Sequence, residues 1–501
     1  MKYKKPALLS ALTLALIAGL IMFGGQRTQA AGPWYVNATT GNDSFDCLSP
    51  VTACKTITAA IGKASAGDTI NVAAGTYNES VDINKTLNLR GAQAGVDART
   101  RVGAESIINS ACSPVGITAD NVILDGFTVQ GSTTADPCLI SGIWTNPGFS
   151  GTQGGHQILN NIVQNNISGI ELDNTGVYQT KVQYNLIRNN NNPGPGAGNA
   201  IQVNFGLTNA LIDNNQFSGH LNSSLLVFGG SQQITFSNNE LVGGGAERVV
   251  WFGVSNSSIS GNTSVGSMAT NGTIRLAGGN TGITISCNLL AAGQRGIRVD
   301  DPFSVGPNSN ITANTNNIQG NAIAGLAVDA GSYLPGLLNA ENNWWGSPTG
   351  PTSANNPGGT GDAVVDPDGV VDFFPYLTSP SNCTPDACPT DPNKIVPGNC
   401  GCGNPESPGC TTTKKDCEKY VEQQKKDFDD QQKDARKAFD DQQKADKKAF
   451  DATHPTPAQR KAFDDQQKSD KKAFDDQQKA AKDAFEQQNK ANREQCKTLP
   501  K

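Results

Sequence analysis

A short run of arginines and aspartates, Arg295-x-x-Arg298-x-Asp300-Asp301, places two arginines and two aspartates within seven residues. Asp329 follows Asp300 by 29 residues, a spacing that a repeating fold can bring side by side. If two repeats stack there, the two carboxyl groups lie about 5 Å apart, as acid and nucleophile do in glycoside hydrolysis. Arg298, Asp300 and Asp329 are therefore the candidate catalytic residues. The alternative is a ladder of Arg–Asp salt bridges that neutralises itself on the surface.

A second group of residues occupies the same position in the preceding segments. Acids come first, then amides, then phenylalanines, and an arginine comes last. This order is typical of a surface that holds an extended polysaccharide, because sugar rings pack on aromatic faces and hydroxyls bond to carboxylates and amides. The alternative is an ordinary solvated face with a few apolar positions covered by loops. The candidate carbohydrate-binding residues are Glu171, Asp173, Gln202, Asn204, Phe228, Phe252 and Arg275.

An asparagine that recurs three residues after a mostly apolar residue indicates which elements position both groups. Successive copies lie 23 to 30 residues apart, a period typical of a solenoid in which each repeat forms one coil. We expect the asparagines to stack about 4.8 Å apart at one corner and to serve the structure, not catalysis. The copies are Ile158-x-x-Asn161, Val182-x-x-Asn185, Ile212-x-x-Asn215, Phe236-x-x-Asn239, Ile259-x-x-Asn262, Ile285-x-x-Asn288, Ile311-x-x-Asn314 and Ala340-x-x-Asn343.

A second pattern in the same repeats places an apolar residue at every other position, which predicts strands. Each coil then holds at least two short strands, and the predicted fold is an all-β parallel β-helix. Residues between and after the apolar ones face outward, so both candidate groups share one outer face. The segments are Ile170-x-Leu172, Ile201-x-Val203, Leu225-x-Val227, Val249-x-Trp251, Ile274-x-Leu276, Ile297-x-Val299 and Leu326-x-Val328.

Two segments resemble a known family. Gly75–Gly91, with Val81, Ile83, Lys85, Leu87 and Leu89 at alternate positions, resembles the first coil of secreted right-handed β-helix proteins of the pectate-lyase-like superfamily. Asn343–Gly346 and Val371–Leu377 are similar to the way that many such bacterial domains end. The resemblance covers residues 33–378 and implies a right-handed parallel β-helix, assigned to 31–378.

What the resemblance implies about activity is broad, because the superfamily includes lyases, hydrolases, epimerases, adhesins and inert surface proteins. By analogy with its lyases, an arginine of the Arg298 group could abstract the proton beside a uronate carboxylate while acids hold calcium. The chain matches no lyase or hydrolase motif of the family residue by residue. We therefore expect no cofactor, and calcium is possible without a clear motif to support it.

The two ends of the predicted β-helix have their own signals. Thr56–Ile61 has helical spacing and predicts a short amphipathic helix that covers the first coil. Trp344 and Trp345 lie where the solenoid ends and are interpreted as capping core. Residues 1–30 read as a secretory signal peptide, with lysines before an apolar run and Thr28-Gln29-Ala30 as a cleavage site. Retention of that run as an anchor is the alternative, and no other segment is apolar enough to span a membrane.

Charge and cysteine content narrow the function classes. The net charge of −6 gives no support to nucleic-acid binding, and three histidines argue against a His-based metal site. Twelve cysteines in a secreted chain indicate disulfides. We expect Cys47 to pair with Cys54, and Cys112 with Cys138. In the linker over 379–412, four cysteines lie close together and lack the spacing of a zinc site; they are Cys388, Cys400, Cys402 and Cys410.

The last segment, 413–501, differs in composition and repeats phenylalanine every 11 residues, close to three helical turns. His454–Pro457 interrupts the repeat and must break the helix. The pattern predicts an antiparallel helical hairpin of the coiled-coil kind, in which Cys417 and Cys496 fall opposite each other and form a disulfide at its open end. The hairpin is interpreted as a spacer, a handle for the cell envelope, a surface for self-association, or a solvated stalk without a partner.

The leading hypothesis is a secreted or cell-surface β-helix protein that binds carbohydrate or extracellular matrix, with the hairpin as a stalk or assembly module. A polysaccharide lyase or glycoside hydrolase acting on the outer strip is the second hypothesis. An inert structural rod is the third. Clustering of the arginines and acids in a groove walled by loops would favour an enzyme, and a flat strip would favour binding.

Overall fold

The computed structural model describes residues 33–134, 138, 140–146, 152–243, 247–383, 413–451, 456–497 and 499. The predicted signal peptide and most of the predicted linker, including Cys388, Cys400, Cys402 and Cys410, lie outside these residues, as do His454 and Pro455 of the predicted helix break. The chain divides into two compact units, 1–384 and 385–501. Among the helices that the structure describes, none has the length and apolar character needed to cross a membrane.

The first unit is a parallel β-helix, as the repeats predicted. Each coil passes through the first sheet, then the third and then the second, and every strand of a sheet pairs in parallel with its counterpart in the next coil. The first sheet contains Trp34–Val36, Thr69–Val72, Asn88–Arg90, Ile123–Asp125, Gln157–Leu159, Thr180–Gln183, Thr208–Asp213, Gln232–Ser237, Ser255–Ser260, Thr281–Ser286, Ser309–Asn314, Leu338–Asn339 and Val371–Asp372.

The other two sheets complete the wall of the β-helix. The second sheet contains Val81–Ile83, Val115–Ile117, Ser141–Thr145, Ser168–Leu172, Asn199–Val203, Ser223–Val227, Glu247–Trp251, Ile274–Ala277, Arg295–Asp300, Ala324–Val328 and Val364–Val365. The third sheet contains Gly75–Tyr77, Ser106–Asn109, Phe127–Gln130, Ile162–Gln164, Leu186–Arg188, Gln216–Ser218, Glu240–Val242, Thr263–Val265, Leu289–Ala291 and Asn317–Gln319.

The core lies inside the coils because apolar residues stack on equivalent residues of the next coil. In the second sheet, Ile201 pairs with Leu225 and Leu225 with Val249, and all three are fully buried. Each such residue removes its apolar surface from water, which contributes about 1.5–3 kcal/mol per large aliphatic side chain. The alternation that predicted strands is thus the alternation between this core and the outer faces.

The asparagine ladder runs along the corner between the first and third sheets. Asn185 Oδ1 accepts a hydrogen bond of 2.8 Å from the Asn161 backbone N–H, and Asn185 Nδ2 donates to the Ile158 carbonyl at 2.8 Å. These bonds satisfy backbone groups that the corner leaves outside the sheets. The ladder contains Asn161, Asn185, Asn215, Asn239, Asn262, Asn288, Asn316 and Asn343.

One predicted member of the ladder was wrong. Asn314 ends a strand of the first sheet, and Asn316 takes the corner position instead. Ile285 pairs with Ala313, so the repeat of that coil is Ala313-x-x-Asn316. The prediction followed Ile311 because it is the larger apolar residue, but Ile311 pairs with Ile283 two positions earlier.

Both ends of the β-helix are covered. At the first coil, helix α1 (Ile57–Lys63) buries Ile57 and Ile61, and Thr56 Oγ1 caps it by accepting a 3.1 Å hydrogen bond from the Ala59 N–H. At the last coils, Trp345 is fully buried and Trp344 is 9% exposed. The predicted capping helix is therefore present, and the tryptophans belong to the core.

Four disulfides join described cysteines. Cys47–Cys54, Cys112–Cys138 and Cys417–Cys496 are the three pairs expected from the sequence. The fourth, Cys287–Cys383, ties a corner of the solenoid to the segment that follows its last strand.

The second unit contains helices α2 (Lys414–Asp451) and α3 (Pro457–Lys497). Three phenylalanine pairs stack between them with ring centroids 4.1–4.3 Å apart. The pairs are Phe428–Phe485, Phe439–Phe474 and Phe450–Phe463. Cys417 and Cys496 are buried beside Val421. Whether the two helices act as a coiled-coil module stays a prediction.

Candidate functional site

The outer face of the second sheet carries every candidate residue in two parallel columns. The first column follows the strand register, and the second column lies two residues further along each strand. The first column contains Trp144, Glu171, Gln202, Leu226, Val250, Arg275, Arg298 and Ala327. The second column contains Asn146, Asp173, Asn204, Phe228, Phe252, Ala277, Asp300 and Asp329.

At the end of the face nearer the N-terminal coils, Glu171 and Asp173 form a buried acid pair. Glu171 Oε1 accepts a 2.7 Å hydrogen bond from Asn204 Nδ2, and Glu171 Oε2 accepts one from Gln202 Nε2. Asp173 Oδ1 accepts from the backbone N–H groups of Asn204 at 2.9 Å and Phe205 at 3.0 Å. Glu171 is 0% exposed and Asp173 is 1% exposed, so the expectation that they face solvent was wrong.

The acid pair holds a proton at neutral pH. Burial raises the pKa of Glu171 to about 9, with the Asp173 charge as the next cause, while the amides of Gln202 and Asn204 oppose the shift. Burial also raises the pKa of Asp173, against hydrogen bonds from the Phe205 and Asn204 backbones. No arginine or lysine is among the causes, so the protonated form is the one that this environment favours.

Trp144 explains part of this burial and was missed by the sequence reasoning. It pairs with Glu171 from the preceding coil and is itself 8% exposed. Its strand, Ser141–Thr145, has the buried polar residue Thr145 where later coils have a valine, leucine or tryptophan, so the alternation of apolar residues stops there. The only available signal was the single Ile143-x-Thr145 step, which is too short to extend the repeat.

Aromatic and aliphatic side chains occupy the middle of the face. The rings of Phe228 and Phe252 stack with centroids 4.5 Å apart and planes 16° from parallel. Phe303, from the connection after the Arg295–Asp300 strand, packs on Phe252 at 5.7 Å and is 71% exposed. Leu226 and Val250 pack with these rings. This aromatic patch (Leu226, Phe228, Val250, Phe252 and Phe303) is open to solvent through Phe303, which the sequence reasoning also missed.

At the other end, arginines and acids form a ladder of ion pairs. Asp300 accepts from Arg275 Nη2 at 2.7 Å and from Arg275 Nε at 3.0 Å, and Arg298 Nε lies 3.4 Å from it. Arg298 Nη2 donates to Asp329 Oδ2 at 2.6 Å. Arg275 Nη1 also donates to Glu247 Oε1 at 3.0 Å, a partner not predicted from the sequence.

The structure therefore brings the three named catalytic residues together, in the arrangement that the sequence reasoning set out as the alternative to catalysis. Arg298 lies between Asp300 and Asp329, with its side chain 19% exposed. Asp300 has 3% of its side chain exposed and Asp329 has 44%. Whether any of them is catalytic stays a prediction. Within the described residues, no group of three or more metal-ligating side chains is present.

Three parallel sheets wound coil upon coil decide the fold class. The first unit of the chain is a parallel β-helix. Similar solved structures include a pectate lyase, at 13% identity over 69% of this chain and 79% of that one, with a TM-score of 0.42. A DFA-IIIase from Arthrobacter chlorophenolicus is 14% identical over 68% of this chain and 99% of that one, with a TM-score of 0.38.

The A-module of a mannuronan C-5 epimerase from Azotobacter vinelandii is also similar, at 12% identity over 65% of this chain and 94% of that one, with a TM-score of 0.35. No protein-family model matches the chain, and no curated protein matches it. At these identities the likeness concerns the fold alone, so activity has to be argued from the face itself.

Proposed function

We propose that this chain is an extracellular carbohydrate-binding protein whose sugar-binding surface is the outer face of the second sheet. The observation that carries the proposal is the aromatic patch, in which Phe303 stands 71% exposed above the stacked rings of Phe228 and Phe252. An exposed aromatic cluster on an otherwise polar wall is typical of a binding surface. The patch lies between amide groups on one side and the ion-pair ladder on the other.

The polar neighbours of the patch suit an extended chain of sugars. Asn204 is exposed and lies one coil from Phe228 in the second column, while Arg275 lies one coil from Val250 in the first. Successive coils are about 4.8 Å apart, close to the length of one sugar unit, so a chain running along the axis would meet one coil per sugar. Glu171 and Asp173 would support Asn204 from beneath and not contact the sugar.

The test is equilibrium binding of the purified mature protein to a panel of acidic and neutral polysaccharides. We expect Phe303→Ala to lower the affinity for the glycan by up to about tenfold, because the loss of one aromatic contact costs about 0.5–1.5 kcal/mol of binding free energy. Tyr178→Ala is the matched control, since Tyr178 is 58% exposed on the connection between the strands Ser168–Leu172 and Thr180–Gln183, several coils from Phe303. Equal losses in both variants, or no binding to any glycan, would contradict the proposal.

An enzyme acting on polysaccharide is the second candidate, and one observation favours it. A carboxyl group that keeps its proton at neutral pH, as Glu171 does, has the property required of a general acid. New reducing ends and absorbance from unsaturated uronates, measured with calcium in the same mixtures, would detect it. Loss of product in Glu171→Gln would assign the chemistry to the acid pair, and loss in Arg298→Ala or Asp300→Ala would assign it to the ladder. Absence of product in every mixture counts against an enzyme.

For the second unit we propose a stalk or assembly role. Its support is the row of stacked phenylalanine pairs and the Cys417–Cys496 disulfide, which hold two long helices together with little buried surface. Sedimentation equilibrium of the full chain separates the two roles: a monomer mass favours a stalk, and a multiple of it favours assembly.

A further inference from the structure

Arg248 is a buried arginine without a partner. It lies in the second-sheet strand Glu247–Trp251 and is 1% exposed. Its Nε and Nη2 atoms are buried and have no hydrogen-bond partner, and no described carboxylate forms an ion pair with it. Burial lowers the pKa of Arg248 to about 10, so the guanidinium is still charged at neutral pH. An isolated buried charge costs several kcal/mol, and such groups are normally paired.

Arg101 is a second buried arginine of the β-helix, and unlike Arg248 it has a carboxylate partner. The side chain of Arg101 is also 1% exposed, yet its Nε and Nη2 donate to Glu105 at 2.9 and 2.8 Å. Nη2 also donates to the Phe127 carbonyl at 3.2 Å. Both side chains are buried, and of the two only Arg248 lacks an anion. The missing partner at Arg248 is therefore a feature of that site and not of the fold.

Arg248 lies at the corner where the chain runs from the third sheet to the second, and its side chain turns into that corner. Equivalent residues in other coils are small, and a Cβ added at Gly169 or Gly296 would meet interior isoleucines at 3.1 Å. The arginine therefore places its long side chain where the other coils have almost none. The equivalent residues are Gly169, Ala200, Ser224, Arg248, Thr273, Gly296 and Gly325.

The adjacent coils add further unpartnered polar atoms at the same corner. His220 lies at this corner one coil before Arg248, and its Nδ1 is buried without a partner, while Nε2 lies 3.1 Å from the Ile187 carbonyl. Ser267 lies at the corner one coil after, and its hydroxyl is buried without a partner. The hydroxyl of Ser264 is in the same state, at an inward position where the neighbouring coils have Leu241 and Leu290.

His220 does not add a second charge. Burial lowers the pKa of His220 to about 4, and the nearby Arg248 lowers it as well, so the imidazole is neutral at pH 7. Over three successive coils, the corner holds one positive charge, one unused hydroxyl and one unused imidazole nitrogen, and the strand Thr263–Val265 beside it holds a second unused hydroxyl. Buried polar atoms left unpaired together in this way indicate a bound ion or water.

We propose that Arg248 binds a small monovalent inorganic anion, of the halide class, inside this corner, with the hydroxyls of Ser267 and Ser264 facing it. One unpaired guanidinium balances one negative charge, whereas a divalent oxyanion would leave a new buried charge uncompensated. The site is internal and separate from the outer face of the second sheet. Its occupant would stabilise the middle coils of the β-helix, whether or not that face binds carbohydrate.

The first experiment locates the anion in the wild-type protein. Crystals soaked in sodium bromide are measured at the bromine absorption edge. An anomalous peak in contact with the Arg248 guanidinium supports the proposal. Well-measured data with no peak there, or with peaks at exposed side chains only, would overturn it.

The second experiment measures the thermal midpoint while sodium chloride replaces sodium gluconate at constant ionic strength. A ligand that binds the folded state raises this midpoint. We expect a saturable rise of about 2–4 °C in the wild type. Arg101→Met should unfold at lower temperature but keep the rise, and Arg248→Met should lose it. A rise that persists in Arg248→Met would contradict the proposal, and if that variant does not fold, the bromide position decides.

Discussion

The acid pair and the ion-pair ladder occupy the same two columns of the same sheet, yet they surround a buried carboxyl group with opposite kinds of partner. Asp300 has 3% of its side chain exposed and is held by Arg275 and Arg298. Glu171 is 0% exposed and meets amides and a second acid. Asp300 is therefore held by two guanidinium groups, while burial raises the pKa of Glu171 to about 9.

In this β-helix, the surroundings of a buried carboxyl group are set mainly by the adjacent coils. Backbone position is equivalent along a column, and the next coil lies only about 4.8 Å away. An arginine there stabilises the carboxylate, whereas an amide or an acid leaves burial to dominate. Between the two regions lies the aromatic patch, which has no charge of its own, so the face changes from protonated acid to paired ions along one axis.

The largest expected effect comes from removing the acid that the ladder depends on. Asp300→Ala leaves Arg275 and Arg298 facing each other with only Glu247 and Asp329 to offset them. Breaking a buried ion pair from one side costs about 3–5 kcal/mol. We expect the free energy of unfolding, measured by urea denaturation and tryptophan fluorescence, to fall by about that amount. A loss under about 1 kcal/mol would mean that the ion pairs of Asp300 stabilise the fold no more than exposed surface pairs do.

The next effect concerns the pH dependence of the acid pair. Burial raises the pKa of Glu171 in the folded protein to about 9, above the ordinary glutamate value of 4.5. The stability that the protonated Glu171 gives to the folded state is therefore fully present below pH 4.5. As the pH rises towards 9, the free energy of unfolding falls by up to about 1.4 kcal/mol per pH unit. We expect Glu171→Gln, which cannot ionise, to remove this slope and to be the more stable protein at pH 8.

Urea denaturation of both proteins at pH 5, 6.5 and 8 provides the measurement. Asp300→Asn, tested in parallel, is the control, because it disturbs the ladder and leaves the acid pair intact. Parallel pH profiles for the wild type and Glu171→Gln would show that Glu171 does not hold the proton. The difference between the two regions would then be one of packing alone.

Much of the fold followed from the sequence because the solenoid repeats its signals. The asparagines that follow Ile158, Val182 and Ile212 form the ladder as expected, since each corner needs the same backbone hydrogen bonds. The one error, Asn314 for Asn316, arose where Ala313 replaces a large apolar residue. Where the inward residue is as small as alanine, the sequence pattern does not distinguish the correct register of the strand from one displaced by two residues.

The candidate face was predictable in membership but not in exposure. Period two places Glu171 and Asp173 on the outer side of their strand, and they are there, but Trp144 and the amides of Gln202 and Asn204 enclose them. Burial depends on long-range neighbours, which a strand pattern does not encode. Arg248 was missed for a related reason, because nothing local marks an arginine that turns into the core.

The smallest expected effect tests the exposed end of the ladder. Asp329 has 44% of its side chain exposed and meets Arg298 Nη2 at 2.6 Å. Because solvent screens an exposed pair, we expect Asp329→Asn to cost about 0.2–1 kcal/mol and to cost less in high salt.

Urea denaturation of Asp329→Asn and wild type at low and high sodium chloride measures this cost as a difference, so any general effect of salt cancels. A cost close to that of Asp300→Ala, unchanged by salt, would mean that both acids hold Arg298 equally. The ladder would then be a single rigid unit, and Asp329 would not be free to meet a ligand. A small, salt-sensitive cost instead leaves Asp329 as the one acid of the ladder that a bound sugar could displace from Arg298.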